Sequence, residues 1–195
     1  HLSLRRQRQM CIRDRLTILI KSLQLLKISK ISIDINDLTI FQSLVNKIDL
    51  IPQEIEDLSQ SFMLKDLSSA KEILKRFGSN EDVKKLLSLL SMYGDSSVIR
   101  DLESLDSKDN VFAESAKKLE KISNNINSLG AGVTFDFADI RGYQYHKGIV
   151  FTAYADGFTS SVAQGGRYDN LNESLGLKRP ATGFSLDLRY LINNL

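Results

Sequence analysis

Asp139 to Asp169 reads DIRGYQYHKGIVFTAYADGFTSSVAQGGRYD. Within it Lys147 to Ala155 alternates, with Ile149, Phe151 and Ala153 on one side of the chain. A period of two predicts a half-buried strand. Asp156-Gly157 follows, the preferred central pair of a type I′ hairpin turn, and Phe158 to Gln164 is the expected returning strand. Just upstream, Val133, Phe135 and Phe137 alternate with Thr134, Asp136 and Ala138. Just downstream, Ala181 to Leu186 is short and apolar, a further strand, and Asp187 to Leu195 has helical character. This half reads as an antiparallel sheet closed by a terminal helix.

The rest of the chain has a different rhythm. Leu16 to Leu26 reads as a short helix, and Ile31, Ile33 and Ile35 alternate with polar residues as a strand would. Leu38 to Leu50 places Phe41, Leu44, Val45 and Ile48 at helical spacing, and Pro52 suits the first position of a new helix. Residues 53–129 read as almost wholly helical. Asp66 caps a helix carrying Leu67, Ala70, Ile73, Leu74 and Phe77, with Gly78 as its stop. Ser79 with Asp82 reads as a capping-box variant before Val83, Leu86, Leu87 and Leu90. A longer helix runs from Val111 to Leu129, closed by Gly130. Its Lys117, Lys118 and Lys121 share their surface with Glu114 and Glu120, so they read as a solvated face rather than a basic patch. Helices followed by a sheet give the α+β class.

Composition bounds the chemistry. The 195 residues are 42% hydrophobic and 26% charged, an ordinary globular balance for one or two domains. A single cysteine excludes an internal disulfide framework and a cysteine-built zinc site, and points to a reducing, cytoplasmic setting. With only His1 and His146, no histidine-rich metal centre is expected, and no cofactor is implied. A net charge of +2 gives no ground for a nucleic-acid partner, and no apolar run reaches the ~18 residues a membrane span needs.

Ser3 to Arg15, SLRRQRQMCIRDR, holds five arginines, one aspartate and the only cysteine. It has neither a helical nor a strand period, and it resembles a translated sequencing-adapter tail. Residues 1–15 are therefore set aside as extraneous, which takes the net charge to −2. A chain opening on His1 is expected to be the C-terminal part of a longer protein.

Two clusters in the sheet half carry chemistry: Arg141-Gly142-Tyr143-Gln144-Tyr145-His146-Lys147-Gly148 and Gln164-Gly165-Gly166-Arg167-Tyr168-Asp169. Glycines beside strands permit a bulge or close approach of a ligand to the backbone. Arginine offers a planar fork for a carboxylate or phosphate, and tyrosine an apolar wall with a polar tip. Together they would form a pocket for a small ligand with an anionic end. Equally, the glycine pair could be a bulge and the arginines surface residues.

These stretches also carry a resemblance. Asp139 to Phe151 resembles the Arg-Gly-x-x-Tyr signature with which histidyl-tRNA synthetases hold histidine, and Gly165 to Leu171 resembles their second histidine-site signature. Ala181 to Leu191 sits where those enzymes carry the third class II motif. The resemblance implies a class II synthetase-like antiparallel sheet with a helical insertion. Residues 16–52 and 130–195 would then be core and 53–129 the insertion. RGYQYHKGIVFTAY and ATGFSLDL are nearer to the synthetase-like regulatory subunits of ATP phosphoribosyltransferase. Asp187 replaces a small glycine of the synthetase motif, Tyr190 aligns with its ATP-gripping arginine, and Thr152 stands where an acid usually follows Val-Phe. A carboxylate would repel a triphosphate, and a phenol is no cationic fork. These departures argue against adenylate formation. If Leu195 is the natural C-terminus, the expectation is a chain without an anticodon-binding domain, which fits the regulatory group. The resemblance then implies a non-catalytic chain that pairs with a catalytic subunit, HisG, in the first step of histidine biosynthesis. Histidine would be the effector. The candidate ligand residues are Arg141, Tyr145, His146, Gly165, Gly166, Arg167 and Tyr168. Arg141 would lie near the ligand carboxylate, Tyr145 and Tyr168 would line the pocket, and Gly165 and Gly166 would let the ligand approach. Arg167 would anchor the turn, with His146 read as a structural imidazole before a pH-sensitive one. The alternative is a fragment of a histidyl-tRNA synthetase itself.

Overall fold

The alternating isoleucines build the centre of the molecule. The computed structural model describes residues 2–143, 146–168 and 181–194; side chains are described from residue 12 onward, except 146 and 147. The elements in order are α1 (Leu2–Leu25), β1 (Ile31–Asp37), α2 (Leu38–Val45), α3 (Pro52–Met63), α4 (Leu67–Leu74), α5 (Glu81–Leu89) and β2 (Tyr93–Gly94). Then come α6 (Ser97–Leu105), α7 (Asn110–Ser128), β3 (Gly132–Asp136), β4 (His146–Ala155), β5 (Ala163–Tyr168), β6 (Ala181–Leu186) and α8 (Leu188–Asn194).

The strands join in one sheet of order β2-β3-β1-β4-β5-β6. The α+β class stands, but the sheet is mixed. β1 pairs antiparallel with β4 and parallel with β3. Parallel neighbours need a long crossover, and the helical stretch between β1 and β3 supplies it. One face of the sheet is apolar: Ile31, Ile33, Ile35, Phe135, Phe151, Ala153 and Ala155 are all buried. Leu16, Leu19, Ile20 and Leu23 of α1, Phe41 of α2 and Phe112, Leu119 and Ile126 of α7 complete that core. Phe41 meets Phe62 of α3 edge-on at 5.0 Å, which ties the helical layer together.

Helix ends follow the local chemistry. Asp37, Asp66 and Asp109 accept backbone N–H groups at the starts of α2, α4 and α7. Pro52 is the first residue of α3. Gly78 and Gly130 take positive φ (58° and 79°) where their helices stop.

Five local expectations are corrected. α1 begins at Leu2, not Leu16, and Ile12 is buried because it lies one turn before Leu16 on the same helical row. The cap of α5 is Asn80, whose side chain accepts from Asp82 and Val83 N, so Ser79 lies one residue outside. Tyr93–Gly94, inside the stretch read as helical, pairs with β3 at the sheet edge. The returning strand starts at Ala163, since Ala153 pairs with Ala163 and residues 156–162 form the connection. Gly157 alone in the Asp156-Gly157 pair has positive φ, whereas a type I′ turn needs it at both. Among the described residues no helix is long and apolar enough to cross a membrane.

Candidate functional site

Residues opposite one another in a sheet share a face, and neighbours along a strand alternate. That rule gives the second face of this sheet its character. Asp34 lies opposite Thr134 on one side and Thr152 on the other. Thr152 lies opposite Gln164, and Gln164 opposite Ser185. A line of polar residues thus crosses β3, β1, β4, β5 and β6. In the adjacent line Val150 faces Gly166 and Gly166 faces Gly183. A Cβ built on Gly183 would meet nothing within 4 Å, so the face is open over β6, while Gly166 beside it is buried.

Arg141 reaches this face from the loop after β3. Its Nε and Nη2 donate to the two oxygens of Asp139 at 2.7 and 2.6 Å, and Nη2 also donates to Thr152 Oγ1 at 2.9 Å. The Asp139 hydrogen bonds chiefly, with its charge and Tyr154 adding, raise the guanidinium pKa against the opposing effect of burial. The loop itself is pinned from below. Asn36 Nδ2 donates to Asp139 O at 2.9 Å, Gln42 Nε2 donates to Tyr143 O at 3.0 Å, and the Tyr143 ring packs edge-on against Phe41 at 5.6 Å. Tyr143 is therefore a packing residue that holds the signature loop to α2. Thr152 is what the departure from the acidic residue supplies: a neutral acceptor for Arg141.

Asp34 completes the face. Burial, and then the charge of Asp136, push its carboxyl pKa up, while the Thr134 hydroxyl and Lys65 oppose the shift and Asp139 adds to it. Asp136 is itself paired with Lys65 at 2.8 Å. The sequence reading named Gln164 in its second cluster without a role and did not single out Asp34. The signal for Asp34 was the alternation of β1, and the strand pairings put both residues in register with Thr152.

The predicted site residues divide between the two faces. Arg141 reaches the polar face, and Gly166 and Tyr168 share it by register. Gly165 and Arg167 belong to the other face. A Cβ on Gly165 would come within 2.5 Å of Gly183 O, 2.6 Å of Phe151 Cζ and 2.7 Å of Phe184 Cβ. Its role is close packing of two strands, not ligand approach. Arg167 lines a cavity beneath the sheet beside α7, with Asp37 and Gly148. His146 opens β4 opposite Tyr168. Tyr145 and the side chain of His146 lie outside the described residues, as do the residues after Tyr168 in the second signature.

Asp187 and Tyr190 are both held by local contacts. Asp187 Oδ1 accepts from Tyr190 N at 3.0 Å, so the carboxylate caps α8. Tyr190 packs edge-on against Phe158 at 5.7 Å, and its hydroxyl accepts from Ser160 N at 2.9 Å. The 156–162 connection thus holds the Tyr190 phenol by its ring and by its hydroxyl. What the polar face offers is Arg141, oriented by Asp139 and Thr152, beside a line of hydrogen-bonding side chains that includes the Asp34 carboxyl; the guanidinium suits the anionic end of a polar molecule.

Comparison with known proteins bears on this face. Residues 12–191 match the family model described as Histidyl-tRNA synthetase. The ATP phosphoribosyltransferase regulatory subunit of Nitrosomonas europaea is 35% identical over 179 residues, covering 89% of this chain and 46% of the relative. The chain thus spans about half the length of the curated relatives it matches. Among solved structures, an ATP phosphoribosyltransferase regulatory subunit/histidyl-tRNA synthetase from Bacillus halodurans superposes with a TM-score of 0.79 at 23% identity, over 94% of this chain and 49% of that one. A chain of the ATP phosphoribosyl transferase (HisG:HisZ) complex from Thermotoga maritima superposes at 0.69 with 15% identity, over 91% and 61%. At these identities the two superpositions show the fold.

Proposed function

The chain belongs to the histidyl-tRNA synthetase family, and from that membership we propose that it is part of the non-catalytic regulatory subunit of an ATP phosphoribosyltransferase. It assembles with the catalytic subunit, HisG, in a hetero-oligomer of the cytoplasm. The polar face binds histidine or a histidine-like effector, with Arg141 taking its carboxylate and Tyr145, His146, Gly166 and Tyr168 around the remainder. Residues 16–52 and 130–195 form the synthetase-like core and 53–129 its helical insertion. Binding favours one state of the assembly over another, and that difference in affinity is the feedback signal.

The observation that carries this reading is Tyr190. Its hydroxyl is held by Ser160 N, at the position of the arginine that would grip ATP. The relatives at about 35% identity that bear the regulatory-subunit name point the same way. The complete reading frame that contains this chain, mixed with the catalytic subunit, should raise phosphoribosyl transfer, and histidine should lower it again. No change in either condition overturns the proposal. The second reading is a histidyl-tRNA synthetase fragment, favoured by the retained Arg141-Gly142 loop. Histidine-dependent ATP–pyrophosphate exchange by the same protein would establish it.

A further inference from the structure

Beneath the sheet, on the face opposite the effector site, lies a cavity of about 780 Å³. Its walls are α7, through Lys117, Lys118, Lys121 and Ile122, and the sheet, through Asp37, Gly148, Ile149 and Arg167. Glu114 lines it too, and Ile12 and Arg13 of α1, from the stretch set aside as extraneous, lie along one side. The volume falls in the range of small-molecule sites.

The charges are unbalanced in one direction. Leaving Arg13 aside, four cations and two carboxylates line it among the described residues. Asp37 cannot neutralise much of this. It is 1% exposed, its Oδ1 accepts from Thr39 N and Oγ1, and its Oδ2 pairs with Lys118 at 3.4 Å. Lys117 and Lys121 stand one turn apart on α7, and among the described residues neither has an ion-pair partner. Gly148 takes a φ of +110°, a conformation that residues with side chains rarely adopt. Ile122 and Ile149 supply an apolar wall beside the cations.

We propose that this cavity binds a phosphate-bearing small molecule of nucleotide size, its phosphates against Lys117, Lys121 and Arg167 and its body against Ile122 and Ile149. Lysines act on phosphate as point charges and need no fixed geometry, which suits two side chains projecting from one helix. The enclosure by helix and sheet favours a small molecule over an extended acidic chain. The site is separate from the polar face, so it stands or falls apart from the histidine reading.

The test is calorimetric titration of the full 195-residue chain with inorganic pyrophosphate and with adenosine diphosphate, at a constant ionic strength of about 0.15 M to screen weak surface contacts. Saturable one-site binding is expected, tighter for the diphosphate nucleoside. Lys117 and Lys121 are exposed, so the Lys117→Gln/Lys121→Gln variant should keep its thermal midpoint and bind about 10-fold more weakly. Arg141→Gln, on the other face, should bind both probes as before. Absence of saturable binding overturns the proposal. So does undiminished binding by the lysine variant, or loss of binding in Arg141→Gln alone. Displacement of pyrophosphate by a single-stranded oligonucleotide, with no preference for the nucleotide, would assign the cations to nucleic acid and overturn it too.

Discussion

The two faces of the sheet come from the same strands and differ in what they can tolerate. Along β1 the isoleucines at 31, 33 and 35 point into the helical layer, while Ser32, Asp34 and Asn36 line the polar face. Around Gly165 the apolar face is close-packed, and volume decides its energetics there. The polar face is held by a few directed hydrogen bonds, with open space over Gly183. Packing thus dominates one side of the layer, apart from the cavity beside α7, and directed hydrogen bonds dominate the other, so changes on the two faces should fail in different ways.

Glycine substitutions break the comparison hardest. In Gly165→Ala the new methyl would meet a carbonyl oxygen and two phenylalanines closer than real Cβ atoms come. Overpacking of this kind costs about 3 kcal/mol, and urea unfolding should show it as a large drop in midpoint or as insoluble protein. Gly183→Ala, one strand away on the open face, should change stability by no more than about 0.5 kcal/mol. Equal losses from the two would show that the faces are not distinct.

Arg141→Ala comes next. It removes the paired bonds to Asp139 and the bond to Thr152. Arg141 is 45% exposed, so solvent screening limits the stability loss to about 1 kcal/mol. Histidine binding, followed by calorimetry, should fall below detection. Retained affinity would move the effector site elsewhere.

The division of the second signature was partly legible beforehand. Gly165, Gly166, Arg167 and Tyr168 are consecutive in a strand, so alternation alone sends Gly165 and Arg167 to one side and Gly166 and Tyr168 to the other. Treating GGRY as one cluster overlooked that. Strands β1 and β4 and the caps at Asp66 and Gly130 were readable because their signals are local. The β1–β3 pairing was not, since it joins residues about a hundred positions apart with no local mark. The start of β5 was misplaced for a related reason. Phe158 and Val162 look strand-like, but the Ala153–Ala163 register leaves them in the connection. Nothing in the sequence forecast that Thr152 would bond Arg141, because the two meet only through tertiary structure.

Tyr190→Phe is a smaller perturbation. It deletes the bond from Ser160 N and leaves the ring on Phe158, so unfolding should register a loss of about 0.5 kcal/mol. Tyr190→Arg would supply a cation at this position. If the nucleotide end differs from a synthetase only there, that variant gains histidine-dependent ATP–pyrophosphate exchange. Continued silence is expected, because Thr152 also departs from the synthetase pattern.

The smallest effect belongs to Asp34, and its sign separates the polar face from the core. Burial and Asp136 raise its folded pKa above the ordinary carboxylate value. The native state therefore holds a proton that the unfolded chain has released, and stability falls as pH rises from the unfolded pKa through the folded one. Above that window the penalty is constant. Asp34→Asn removes it while keeping a hydrogen-bonding group opposite Thr134 and Thr152. The variant should be more stable than the unaltered chain at pH 7, by less than about 1 kcal/mol. The gap should close as pH is lowered through the ordinary carboxylate range. Thermal unfolding at a series of pH values measures both. A gap independent of pH would mean that the substituted amide gains by packing and that Asp34 carries no excess proton. A less stable variant would mean that the carboxylate is held by partners that outweigh its burial, with Lys65 the first to examine.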